Sequence, residues 1–90
     1  MKTAFDPATR AATLDARGLD FAHAAAVFEG VHFTLADDRV DYGVPRFVSV
    51  GRLGAAVVVV VWTPRDDARR IISMRPANGK ERALYEARLP

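Results

Sequence analysis

The side chains best suited to chemistry in this sequence are arginines that bracket its most apolar stretch. One group runs from Arg46 to Arg52 before that stretch, and the other from Arg69 to Arg75 after it. If both segments are strands, alternation places Arg46 and Arg52 on one face of the first, and Arg69 and Arg75 on one face of the second. A guanidinium group keeps its charge and donates paired hydrogen bonds, which suits phosphate. The spacing predicts a phosphate-binding sheet surface; the alternative is a solvated edge whose arginines pair with acidic residues.

Other reactive side chains give weaker signals. His23 and His32 have no paired acid or ligand at a suggestive spacing, so surface or packing roles are favoured. The aspartate pairs at 37–38 and 66–67 fall in predicted turns, where local hydrogen bonding explains them. The chain has no cysteine, which excludes disulfides, thiol catalysis and thiolate metal sites. Neither a glycine-rich phosphate loop nor metal-ligand spacing is present.

The charge is divided unevenly between the two halves of the chain. Residues 1–45 carry four basic and seven acidic side chains, a net charge of −3, whereas residues 46–90 carry nine and four, a net charge of +5. A basic half favours a polyanion such as nucleic acid, or an acidic protein, as partner. Scattered solubilising charge is the alternative explanation.

The length of 90 residues supports one domain, 1–90, with one modest core. No apolar run is long enough to span a bilayer, and the N-terminal residues lack a signal-peptide core. We therefore expect a cytoplasmic protein with no membrane association.

The element that must position the arginines is the apolar stretch itself, Ala55 to Trp62. Its five consecutive valines have no helical period and favour a central strand buried on both faces. A hairpin joins it to the strand that starts at Arg46, and Pro64 with the turn at 66–67 leads into the strand from Arg70. With a short strand over Val31 to Leu35, the pattern predicts an antiparallel meander of about four strands.

Helices are predicted on both sides of this meander. Asp6 and Pro7 open a helix that ends near Arg17, before Gly18, and Asp20 opens a second one that ends at 29–30. An acidic turn is expected at 36–39. The capping-box spacing of Asn78 and Glu81 opens a last helix to about residue 88, with the residues at 83, 84 and 87 facing inward. The predicted class is α+β: two N-terminal helices cover one face of the sheet, and Trp62 and the last helix cover the other.

Two segments within residues 5–52 resemble the BrnT family of toxins. Residues 5–7 (FDP), Arg10 and residues 18–21 (GLDF) resemble the opening patterns W-D-x-x-K and K-H-G-V-x-F. Residues 46–52 (RFVSVGR) are similar to the central R-F-V-x-I-G segment.

The end of the chain carries the most specific part of the resemblance. Residues 70–77 (RIISMRPA), followed by Glu81 and Tyr85, resemble R-I-I-S-A-R-x-A with a downstream E and Y. The three segments follow one another in the family's order and cover nearly the whole chain.

The resemblance implies a type II toxin with a RelE-like fold, a metal-independent endoribonuclease that needs no cofactor and arrests translation. Its RNA substrate would be cut by attack of the 2′-hydroxyl on the adjacent phosphate. The resemblance also implies a hetero-oligomer with a BrnA-like antitoxin, whose ribbon-helix-helix part binds operator DNA, so that this chain contacts DNA only through it.

Functional residues are carried over from the resemblance as expectations. The predicted catalytic residues are Arg46, Arg75, Glu81 and Tyr85, with Tyr85 alternatively a core aromatic and Glu81 already explained by its capping role. The predicted RNA-phosphate ligands are Arg10, Arg17, Arg52, Arg70 and Lys80.

The sequence departs from the family pattern at polar positions. Phe5 replaces a tryptophan, Ala16-Arg17 replaces Lys-His, and Pro45 replaces a common glutamate. Two groups that could transfer protons are thereby lost. The alternative function is a catalytically weak or inactive toxin homologue that binds the antitoxin in operon regulation. A third is a nucleic-acid-binding domain with no toxin partner.

Overall fold

The valine strand lies at the centre of a five-stranded sheet in the computed structural model, which describes residues 2–38, 41 and 43–89. It is paired on both edges, as its apolar sequence predicts. The strands are β1 (Lys2–Ala4), β2 (His32–Ala36), β3 (Phe47–Leu53), β4 (Ala56–Arg65) and β5 (Ala68–Pro76). The helices are α1 (Pro7–Arg17), a 3-10 turn (Phe21–His23), α2 (Ala24–Glu29) and α3 (Gly79–Glu86).

The sheet is mixed, which corrects the prediction of a four-stranded antiparallel meander. Strands β2 to β5 do form an antiparallel meander, and the α+β class is confirmed. The N-terminal segment adds a fifth strand, because β1 pairs in parallel with β5 and gives the order β1-β5-β4-β3-β2. Three residues are too few to show the alternation by which a strand is recognised.

The N-terminal helices begin and end where their capping residues predict. The Asp6 carboxylate accepts the Ala8 N–H at 2.8 Å, and Gly18 closes α1 in the left-handed region at φ +67°. Asp20 caps the next helical segment in the same way, although its first turn is 3-10 rather than α. The predicted acidic turn ends at Arg39, which lies outside the described residues. None of the helices among the described residues has the length and apolar character needed to cross a membrane.

Alternate valines of β4 pack in two separate hydrophobic cores, one on each face of the sheet. Val58 and Val60 are fully buried beneath the N-terminal helices, in a cluster that includes Phe21 and Met74. Val57 and Val59 face the opposite side, where they pack with Val50 and with Leu89 from the C-terminal end. Both faces are therefore covered from Val57 to Val60, as a strand without a polar face requires.

Trp62 lies on the helical side, so its predicted place beside the last helix is wrong. Its ring packs at 5.9 Å from Phe28 of α2 and at 5.0 Å from Phe47 of β3. Its indole N–H donates to the fully buried Ser49 hydroxyl at 2.8 Å, which satisfies the polar atom in the core.

A β-bulge corrects the grouping of Arg69 with Arg75. The register of β4 and β5 shifts between Val61 and Trp62, so that Ser73 opposes Val61 but Ile71 opposes Trp62. A bulge adds one residue and reverses which face the later side chains occupy. Arg69 consequently lies on the helical side, with its guanidinium 4.1 Å from the centre of the Phe28 ring.

The last helix is shorter and more exposed than the sequence predicts. The expected inward side chains of α3 face solvent, with Leu84 64% exposed, and no residue of α3 is fully buried. Tyr85 and Leu89 instead pack against the Val57 and Val59 core. The capping box is confirmed, because the Asn78 side chain accepts the Glu81 N–H and Glu81 accepts the Asn78 N–H.

Replacing Gly51 by alanine is expected to destabilise the fold by about 1–3 kcal/mol, as overpacking of a filled core does. A Cβ there would lie 2.8 Å from Cγ1 of Val27 and 3.0 Å from Cβ of His32. Val27 is fully buried and cannot move away freely. Urea unfolding measures the change. Gly79→Ala is the control, because nothing lies within 4 Å of its Cβ and alanine favours a helix; equal stability of the two variants would contradict the prediction.

Candidate functional site

The face of the sheet opposite the N-terminal helices carries an open cavity of about 500 Å³. Strands β2 to β5 form its floor, and residues from α1 and α3 close two of its sides. Its lining consists of Arg17, Leu35, Ala36, Asp37, Arg46, Val48, Val59, Val61, Ser73, Arg75, Glu81 and Tyr85.

One transverse row of side chains forms the floor of the cavity. Leu35 opposes Val48, Val48 opposes Val61, and Val61 opposes Ser73 across four consecutive strands. Directly opposed residues point to the same face of a sheet. The floor is therefore apolar from β2 to β4 and becomes polar at β5.

Arg75 and Glu81 form a bidentate ion pair at one side of this floor. Nη1 and Nη2 of Arg75 donate to the two Glu81 carboxylate oxygens at 2.5 and 2.7 Å. The Arg75 hydrogen bonds, together with the hydrogen bond from the Asn78 N–H, lower the pKa of Glu81 to about 2. Glu81 therefore holds Arg75 in place on the α3 side of the cavity.

Arg46 occupies another side of the same floor, close to a buried carboxylate that sequence reasoning assigned only to a turn. Asp37 directly follows β2, and its side chain is 1% exposed, with Oδ2 4.0 Å from Nε of Arg46. The Asp37 N–H also donates to the Arg46 carbonyl at 2.8 Å, so backbone pairing continues past the strand. The sequence does contain a signal for this pair: Asp37 follows one predicted strand, and Arg46 begins the next. In a hairpin those two positions come together.

Arg17 and Tyr85 complete the part of the predicted site that the fold brings together. Arg17 is the last residue of α1, and it lines the cavity. The Tyr85 ring lies 5.6 Å from the Phe33 ring, and the Arg88 guanidinium lies 4.5 Å from the centre of that same Phe33 ring. Among the described residues, the lining contains three arginines and two carboxylates, a net charge of +1.

Four of the predicted RNA-phosphate ligands lie outside this cavity. Arg10 forms a bidentate pair with Asp20 at 2.7 and 2.9 Å, which raises the pKa of Arg10 and holds that of Asp20 well below its usual range. Arg52 lies 3.5 Å from Glu86 at the far end of the sheet face. Arg70, at the opposite end of that face, and the exposed Lys80 are the other two.

Neither histidine lines the cavity, in agreement with the surface or packing roles favoured from the sequence. His32 packs its ring against Phe28 at 5.5 Å on the helical side of the sheet, and its Nδ1 lies 2.9 Å from the Gly30 carbonyl. Within residues 2–38, 41 and 43–89, no group of three or more histidine, aspartate or glutamate side chains could hold a metal ion. The chemistry available at the floor is that of fixed cations above an apolar surface, which can bind a phosphodiester.

The Arg75–Glu81 pair is expected to make stability depend on pH in acid. The folded pKa of Glu81 lies near 2, below its ordinary 4.5, so its contribution is fully present above pH 4.5 and is lost as the pH falls towards 2. The difference in unfolding free energy between wild type and Glu81→Gln should shrink over that window. Denaturant unfolding between pH 2 and pH 6 measures it. The control is the same pair of measurements in an Arg75→Ala background, where the main cause of the low pKa is gone. A pH-dependent change in the unfolding free energy as large as in the wild-type background would contradict the assignment of the low pKa to Arg75.

Comparison with known proteins identifies a family for the chain. The family model described as "Ribonuclease toxin, BrnT, of type II toxin-antitoxin system" matches residues 5–81. The match includes β2 to β5 entirely and reaches Glu81 in α3. The comparison with curated proteins gives no significant match.

Proposed function

Since this chain belongs to the BrnT family of ribonuclease toxins of type II toxin–antitoxin systems, we propose that it is a metal-independent endoribonuclease that arrests translation. The observation that carries the proposal is the group of three arginines, Arg17, Arg46 and Arg75, around one apolar floor. The family likeness also supports a RelE-like fold formed by the 90 residues as one domain.

The proposed reaction uses the RNA itself as the nucleophile. The 2′-oxygen attacks the neighbouring phosphorus, a 2′-O–P bond forms, and the P–O5′ bond breaks. One proton leaves the 2′-hydroxyl and one is delivered to the 5′-oxygen, so the products are a 2′,3′-cyclic phosphate and a 5′-hydroxyl. Negative charge grows on the phosphate oxygens during this step, and fixed cations stabilise it most where water is excluded.

Arg75 is the proposed principal ligand of the reacting phosphate. Arg75 stands two residues from Ser73 on β5, both side chains line the cavity, and Glu81 fixes the orientation of the Arg75 guanidinium through two hydrogen bonds. A preorganised cation loses less entropy on binding phosphate than a freely rotating one does. Glu81 itself, with a pKa near 2, is too weakly basic to remove a proton efficiently at neutral pH, and we assign it a positioning role.

Arg46 and Arg17 are proposed to bind the RNA backbone on the other sides of the floor. Arg46 directly precedes β3, and Arg75 lies two strands away on β5. The two residues would therefore contact the RNA backbone from different directions. The buried Asp37 carboxylate lies 4.0 Å from Nε of Arg46, a looser contact than the bidentate pair of Arg75 with Glu81. Tyr85 is the hydroxyl that we propose as proton donor to the 5′-oxygen, because it lines the same cavity.

A type II toxin acts together with a protein antitoxin, and we propose a BrnA-like protein with a ribbon-helix-helix part for this chain. The net positive cavity suits an acidic segment of such a protein. The complex would bind operator DNA through the antitoxin alone.

A binding-only homologue is the second candidate function. It is favoured by one observation: both carboxylates that line the cavity in the described part of the chain are paired with arginines. Such a chain would retain antitoxin binding and operon regulation without cleaving RNA.

Induced expression in bacterial cells tests the proposal. We expect growth and bulk translation to stop within the induction period, and to continue when the protein encoded by the adjacent gene is co-expressed. Growth unchanged by a soluble, folded chain at the same expression level would overturn the ribonuclease proposal and leave the binding-only homologue.

A further inference from the structure

We propose that the apolar end of the cavity, formed by Leu35, Val48 and Tyr85, binds the face of a nucleobase of the RNA. This inference rests on the proposed function, because it assigns a second contact to the nucleic acid whose phosphates lie among the arginines. It adds to the cationic site a surface that recognises the base.

The first observation is that a large apolar side chain is exposed inside a cationic cavity. Leu35 lies in the same transverse row of side chains as Val48 and Val61, on the floor of the cavity. Its side chain is nevertheless 44% exposed. It lines the cavity together with Arg46 and Arg75. Free phosphate would use only the cations and would leave this apolar surface in water.

The second observation is the length of the row of side chains that forms the cavity floor. From Leu35 on β2 to Ser73 on β5 it crosses three strand spacings, about 14 Å. With a volume of about 500 Å³, the cavity is much larger than one phosphate group needs. A nucleotide supplies both parts of the match, because its phosphate suits the arginines around the floor and the flat face of its base suits the apolar side chains of the floor.

The third observation is access from the open edge of the sheet. Strand β2 is last in the strand order, and Thr34, Leu35 and Ala36 are all exposed. A base can therefore enter over β2 while the backbone follows Arg46 and Arg75. Tyr85 is held in place by its packing against Phe33 and forms a wall of the same space.

Contact with the face of a base is tolerant of sequence, since every base has an apolar face. We therefore expect binding at this subsite to need a base, and its affinity to depend little on which base is present. The experiment compares base-bearing and base-free nucleic acid accordingly.

The test measures the affinity of two uncleavable oligomers of equal length and charge. One is a short mixed-sequence RNA with 2′-fluoro groups, which cannot attack the phosphate, and the other carries abasic spacers in place of its nucleotides. We expect wild type to bind the base-bearing oligomer about tenfold more tightly. Leu35→Ala should lose most of that preference and bind the abasic oligomer as wild type does.

Val31→Ala is the matched control, because Val31 is 60% exposed and does not line the cavity. It should keep the tenfold preference, and thermal unfolding should confirm that both variants are folded. Equal affinity of wild type for the two oligomers, or a preference that persists in Leu35→Ala, would overturn the inference. A Leu35→Ala change that weakens only antitoxin binding would overturn it too and assign the residue to a protein interface.

The base preference can be measured independently of catalysis. A base preference lost in Leu35→Ala, in a chain that cuts no natural RNA, would refute the ribonuclease proposal and leave the base subsite standing. Cleavage of natural RNA without any base preference would support the ribonuclease proposal and refute the base subsite.

Discussion

Replacing Arg75 by alanine is expected to lower the rate of RNA cleavage by at least about 100-fold, the usual effect of removing one preorganised donor to developing charge. Arg75 lines the cavity two residues from Ser73, and both of its terminal nitrogens donate to Glu81. The variant removes the oriented cation and also leaves Glu81 as an uncompensated negative charge where the phosphate must bind. Single-turnover cleavage of a short RNA measures the loss, and growth arrest on induction should disappear in parallel.

Arg82→Ala is the matched control for this variant. Arg82 lies on the same helix as Glu81 and pairs with Glu86 at 3.1 Å, but it does not line the cavity. The Arg82→Ala variant removes the same charge from the chain as Arg75→Ala does. It should change the cleavage rate less than about threefold, because exposed charges are screened by salt. Equal losses in the two variants would mean that only net charge matters and that Arg75 has no special position.

The largest effect on stability is expected for Phe21→Ala, at about 3–5 kcal/mol. Phe21 is 0% exposed and belongs to the core between the N-terminal helices and Val58 and Val60 of β4. Its ring also packs edge-on against Phe5 at 6.0 Å. A chain of this length has a total unfolding free energy of about 5–14 kcal/mol, so the variant should lose a substantial part of it.

Urea unfolding measures this loss as a fall in the midpoint at an unchanged slope. Leu14→Ala, on the 44% exposed Leu14 of α1, is the control and should lie within about 1 kcal/mol of wild type. A Phe21→Ala midpoint equal to that of the control would show that the packing of the N-terminal helices on the sheet contributes little to the stability of the fold.

The features of the fold that were predicted correctly follow local rules. The Asp6 and Gly18 caps, the Asn78–Glu81 capping box and the two-sided burial of the valines each depend on the chemistry of a few neighbouring residues. The features that were missed depend on distant parts of the chain. Strand β1 exists because β5 offers it an edge, and Arg69 changes face because of a bulge against β4.

The same distinction holds for the candidate site. Arg46, Arg75, Glu81, Tyr85 and Arg17 were selected by strand spacing and family pattern, and all five line one cavity. Asp37 was missed because its carboxylate becomes buried only when the end of β2 meets Arg46. Arg10 illustrates the reverse, since its bidentate partner Asp20 lies ten residues away and only the packing of α1 brings them together.

The exposed outer face of α3 has a physical explanation of the same kind. Small and apolar residues at 83, 84 and 87 predict an inward face, but the side chains that contact the sheet are Glu81, paired with Arg75, and Tyr85 and Leu89, packed on the Val57 and Val59 core. Tyr85, one turn after Glu81, consequently faces the sheet, and Leu84 faces solvent.

Cleavage of RNA by the purified chain in excess chelator is the most direct measurement of the central claim, that fixed arginines on this sheet face catalyse 2′-hydroxyl attack. We predict fragments that end in a 2′,3′-cyclic phosphate, no cleavage where a single 2′-deoxy substitution removes the attacking oxygen, and loss of cleavage in Arg75→Ala but not in Arg82→Ala. Intact RNA with wild type, or cleavage that survives both the 2′-deoxy substitution and Arg75→Ala, would contradict it.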